Sequence, residues 1–96
     1  MNIEVTEQAA KWYQDELELE NEVSLRFLVR YGGSGGLQPG FSLAIQLEEP
    51  VEPHASTEVN GITFFVEESD AWYFDDKSLK VDYNTTWEEP EFNYVG

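Results

Sequence analysis

Val23-Ser24-Leu25-Arg26-Phe27-Leu28-Val29-Arg30-Tyr31, then Gly32-Gly33-Ser34-Gly35-Gly36-Leu37-Gln38-Pro39-Gly40, then Phe41-Ser42-Leu43-Ala44-Ile45-Gln46-Leu47: this run decides the fold. Side chains of a strand alternate between two faces. In the first segment Leu25, Phe27, Val29 and Tyr31 share one face, while Ser24, Arg26, Leu28 and Arg30 share the other. In the last, Phe41, Leu43, Ile45 and Leu47 point inward. Two alternating strands that bracket nine loop residues read as antiparallel neighbours with a long connection.

Upstream, Ile3 and Val5 make a short strand and Thr6 is placed to cap a helix, with Glu7 in the first turn where the helix dipole favours a negative charge. Ala9, Ala10, Tyr13 and Leu17 recur at helical spacing with Trp12 on their flank, which predicts a helix over 7–19. Its far end carries Asp15, Glu16, Glu18 and Glu20, the wrong sign for a helix C-terminus. Downstream, residues 48–56 with Pro50 and Pro53 read as a polar linker, and Asn60-Gly61 between apolar runs signals a hairpin. A short helical turn capped by Ser69 is expected over 69–74, and Trp72, Tyr73 and Phe74 are read as core. Leu79, Val81 and Tyr83 alternate as a strand, and Phe92 and Tyr94 as a final edge strand. The sequon-like Asn84-Thr85-Thr86 is read as an ordinary polar turn.

The 96 residues fit a single domain over 1–96, mainly β with one N-terminal helix, an α+β class. Zero cysteines exclude a disulfide framework, a thiolate metal site and a cysteine nucleophile together. No basic-then-apolar leader opens the chain and no run reaches the length of a membrane helix, so the expected address is the cytoplasm. Twenty acidic residues against five basic ones give a formal charge of −15, which disfavours nucleic acid and anionic membranes as partners and favours a basic protein. Solubility alone is the plainer account of that charge.

The glycine loop is the most unusual feature. Gly33, Gly35 and Gly36 around Ser34 allow close approach of a backbone to a ligand, although a flexible hairpin loop needs nothing more. A phosphate loop would require Gly-Lys-Ser/Thr and a following helix, and a nucleophile elbow would place Ser34 on a strand-to-helix turn. Neither pattern is met, and no enzyme is expected. His54, the one imidazole, reads as a solvated surface group. The acidic pairs lack the alternating spacing of a calcium loop, leaving an oxygen-ligand cation binder as an alternative. Arg26 and Arg30 lie on one strand face beside the loop, either paired with carboxylates or forming a small positive spot for a partner.

The order of pieces resembles the HesB/IscA family of iron–sulfur cluster biogenesis, the A-type carriers. Ile3 to Ala10, Leu25 to Arg30, the glycine loop, Phe41 to Ile45 and the stretch from Val59 to Val66 carry the likeness, which is nearest to the family's cysteine-free, acidic YneR-like branch. The resemblance implies a mixed β-sandwich or pseudo-barrel, with homodimers common in the family. Where the family has a cysteine in a Gly-Cys-Ser-Gly loop, this chain reads Gly33-Ser34-Gly35-Gly36, and the Cys-Gly-Cys tail has no counterpart after Phe92-Asn93-Tyr94-Val95-Gly96. A serine hydroxyl has little affinity for a soft cluster, so no cofactor is expected. The resulting expectation is a binding or adaptor protein with Gly33, Ser34, Gly35, Gly36, Arg26 and Arg30 as its contact surface, its link to cluster assembly running through a partner. The alternatives are a cation binder and an acidic electrostatic partner of a basic protein.

Overall fold

The computed structural model describes residues 1–33 and 36–96. The chain runs β1 (Ile3–Val5), α1 (Glu7–Glu16), β2 (Val23–Tyr31), β3 (Phe41–Leu47), β4 (Pro53–Val59), β5 (Ile62–Glu67), a 3-10 helix (Glu68–Phe74), β6 (Ser78–Asn84) and β7 (Glu89–Val95). The strands form two mixed sheets, in the orders β1-β6-β7 and β3-β2-β5-β4. β2 pairs antiparallel with β3 from Leu25↔Leu47 to Tyr31↔Phe41, and parallel with β5. The fold is therefore α+β and mainly β, but with two helical elements rather than one.

Local chemistry explains the boundaries. The Thr6 hydroxyl accepts from the Ala9 N–H and starts α1. The helix stops at Glu16, three residues short of the expected end, with no basic side chain in its last turn to offset the dipole. Leu19 is nonetheless buried, so the apolar signal was real although the helix had ended. Asn60 and Gly61 both take left-handed φ, 54° and 76°, the pair that a two-residue hairpin turn requires.

Three expectations are corrected. The segment 48–56 is not all linker, because β4 begins at Pro53 and includes His54, which falls at the register shift between Pro53 and Ala55 against β5. Ser69 does not cap the second helical element; Glu67 occupies that position with no side-chain cap. The Glu67 carboxylate is instead buried and accepts from the N–H groups of Val51 and Glu52, tying down the turn before β4. Finally, Tyr31 and Leu47 fall on the inward rows yet are 87% and 55% exposed, because they lie at the strand ends where the second layer no longer covers the sheet.

The core sits between the sheets and α1. Phe27 stacks on Phe64 at 5.8 Å, Tyr13 meets both rings, and Phe92 of β7 closes edge-on against Phe27 at 5.7 Å. Full burial of each such ring stabilises the fold by roughly 2–3 kcal/mol. This packing fixes β2, and β2 in turn fixes the base of the glycine loop.

Candidate functional site

The glycine loop leaves β2 at Tyr31 and enters β3 at Phe41. Gly32 N–H donates to the Gly40 carbonyl at 2.7 Å, which closes its base. The returning arm is pinned by one residue of the 3-10 helix: Leu37 N–H donates to the Tyr73 hydroxyl at 2.7 Å, and the Gln38 amide to the Tyr73 carbonyl at 3.2 Å. The Tyr73 hydroxyl also meets that of Tyr94 at 3.4 Å. Burial, and then the neighbouring Tyr73 hydroxyl, push Tyr94 above the usual phenol range.

The sequence-derived residues distribute as follows. Gly33 is exposed with φ of 80°, a left-handed conformation that suits glycine, and a Cβ there would come within 2.6 Å of the Ser42 hydroxyl. Gly36 owes its identity to space instead, because an added Cβ would collide with the Phe41 carbonyl and reach 2.5 Å from the Tyr73 hydroxyl. Ser34 and Gly35 lie outside the described residues.

Arg26 and Arg30 share a face of β2 but have different partners. Arg26 donates to Glu48 at 2.8 Å and to Asp70 at 2.9 Å, joining β2, the end of β3 and the 3-10 helix. Burial opposes its charge, and the hydrogen bonds and charges of Asp70 and Glu48 overcome that opposition to hold the guanidinium above its ordinary pKa. Its Nε–H finds no acceptor among the described residues. Arg30 is exposed and donates from Nε to the Ser42 hydroxyl at 3.2 Å, beside Gly33. Only Arg30 presents its charge outward.

Sequence reasoning missed the aromatic row at the loop base. Tyr31 meets Phe41 edge-on at 5.7 Å, Phe41 meets Trp72 at 5.3 Å, and Trp72 meets Tyr73 at 6.0 Å. Tyr73 and Phe74 are core as expected, but Trp72 is 54% exposed. The available signal was position: Tyr31 and Phe41 immediately flank the loop. A cleft of about 380 Å³ opens beside Trp72, with Ala71, Asp75, Asp76, Lys77 and His54 in its wall. His54 meets Glu68 at 3.0 Å.

The chain belongs to the iron–sulphur cluster biosynthesis family, whose pattern it matches over residues 1–93. It is 48% identical over 94 residues to a protein of Bacillus subtilis (strain 168) named "Pyruvate dehydrogenase inhibitor", covering 98% of this chain and 99% of that one. Two uncharacterized staphylococcal proteins are also similar. One, from Staphylococcus haemolyticus, is 44% identical over 85 residues, covering 85% of this chain and 86% of its own. The other, from Staphylococcus aureus (strain USA300), is 40% identical over 97 residues, covering 98% and 97%.

The donors do not fit the family's cluster. The chain supplies no thiolate, and among the described residues no three His, Asp or Glu side chains converge to hold a metal ion. Among the same residues, no helix is long and apolar enough to cross a membrane.

Proposed function

We propose that this chain is a non-enzymatic regulator that binds pyruvate dehydrogenase and lowers its activity, with the glycine loop and its aromatic base as the contact surface. The near full-length relation to a protein named for inhibiting that enzyme carries the reading. The surface suits it. Tyr31 and Trp72 are large, exposed and held edge-to-face through Phe41, the kind of rigid aromatic anchor that dominates protein interfaces. Gly33, Ser34, Gly35 and Gly36 let a partner's backbone come close, and Arg30 supplies an outward charge. Arg26 acts from behind as a positioning residue. The charge of −15 steers the chain toward a basic face on the enzyme. The cytoplasm is the proposed place of action, and any tie to cluster assembly runs through a partner that brings its own thiolates.

Surface plasmon resonance with purified pyruvate dehydrogenase tests this surface. The Tyr31→Ser/Trp72→Ser double variant is expected to bind at least about tenfold more weakly, while Trp87→Ser, at the exposed β6–β7 turn, binds as wild type. Equal affinity of all three would remove the aromatic base from the interface. No binding by wild type would remove the function itself.

A further inference from the structure

Edge strands offer unpaired N–H and C=O groups, and soluble proteins protect them with charge, proline, bulges or short length. The two sheets end in β1 and β7 and in β3 and β4. β1 has three residues; β4 carries Pro53, Glu58 and a register shift; β7 carries Glu89, Pro90 and Glu91. β3 has none of these devices: Phe41–Leu47 contains no charge and no proline, and its register against β2 is unbroken. Such an edge is open to a further strand.

We infer that β3 receives an extended segment of a partner protein as an added antiparallel strand, one that reads basic, polar, apolar, polar, apolar, polar, apolar. β3 itself dictates that order. Gly32 N–H donates to the Gly40 carbonyl and Glu48 N–H to that of Ser24, which sets Ser42, Ala44 and Gln46 as the residues bonded to β2. Leu43, Ile45 and Leu47 therefore direct their backbone groups at the open edge. Residues of an added strand directly opposite these three share their side-chain face. On that face Leu43 and Ile45 pack against the core, and a groove of about 230 Å³ opens there, walled also by Trp12, Pro90 and Phe92. Alternate residues of the segment enter this groove and are apolar. Those between them stand beside Ser42, Ala44 and Gln46 and are polar.

Charge fixes the first position. β3 lies in the long stretch 23–47 without an Asp or Glu, and acids resume at Glu48 and Glu49. These two line a second cleft, of about 330 Å³, with Val23, Ser24 and Leu47 at the C-terminal end of β3. Glu48 is engaged by Arg26 and Gln46, whereas Glu49 is exposed and holds no ion pair among the described residues. An antiparallel strand begins where β3 ends, so a Lys or Arg two places ahead of the first apolar residue meets Glu49, and a chain charge of −15 turns an acidic segment away. Main-chain bonds supply the affinity of such an added strand and the side-chain order its specificity. The order is the same whichever protein supplies the strand.

A labelled peptide of one lysine followed by three threonine–valine repeats, with both ends blocked, tests the pairing by fluorescence anisotropy. Its valine N–H groups point at β3 and its threonine N–H groups away. N-methylating the valines keeps every side chain and is expected to weaken binding at least about tenfold more than N-methylating the threonines. Replacing the lysine by glutamate is expected to weaken binding as well. Glu49→Lys is expected to shrink that preference about threefold, while Glu58→Lys, the same charge change on the protected β4 edge, leaves it in place. No binding of the parent peptide by wild type at about 1 mM would overturn the proposal. So would equal effects of the two N-methylated peptides, equal effects of the two charge reversals, or sedimentation showing the edge filled by a second copy that the peptide does not displace.

Discussion

Arg26 holds two carboxylates from two different segments, and its side chain is largely withdrawn from water. Removing it leaves Asp70, itself buried, without its counter-charge, and an orphaned buried charge costs more than the intact pair contributes. Arg26→Ala is expected to lower unfolding stability by about 3 kcal/mol in urea titrations. Arg26→Ala/Asp70→Ala is expected to lose less than the sum of its parts, because the second change removes the stranded charge. Strict additivity would deny the coupling. That Arg26 pairs with carboxylates was one of two readings open from its spacing on β2. Which carboxylates it meets was not legible, since Glu48 and Asp70 lie 22 and 44 residues away in sequence.

The glycine loop has its returning arm, Leu37 and Gln38, pinned by hydrogen bonds to Tyr73. That residue lies in the 3-10 helix and accepts from Leu37. Gly36→Ala is expected to cost about 1–3 kcal/mol, because the added methyl must displace either the Phe41 carbonyl or the Tyr73 hydroxyl. Thermal melts of Gly36→Ala beside Gly40→Ala separate crowding from conformation, since Gly40 has open space around it but φ of 81°. If Gly36→Ala melts as wild type, the arm is not packed against Tyr73. The paired strands 23–31 and 41–47 were readable from alternation alone, as was the Asn60-Gly61 turn. The end of α1, the start of β4 and the exposure of Tyr31, Leu47 and Trp72 were not. The exposures depend on where neighbouring elements stop covering the sheet, and the start of β4 on its pairing with β5, neither of which alternation within one strand reports.

At the scale of the whole molecule, the chain belongs to the iron–sulphur cluster biosynthesis family and carries no cysteine. Composition already excluded thiolate ligation, and the resemblance supplied the architecture. The candidate surface was only partly legible: the loop was visible as a cluster of glycines, whereas its aromatic base was disguised as core. On the proposed reading, the exposed rings at the loop base are what another macromolecule would meet. The most direct test is the steady-state turnover of purified pyruvate dehydrogenase titrated with the chain, prepared iron-free in the presence of a chelator. The account predicts a saturable fall in turnover that is the same before and after exposure to iron and sulphide. Turnover unchanged at saturating chain, or inhibition that emerges only after iron and sulphide are added, would contradict it.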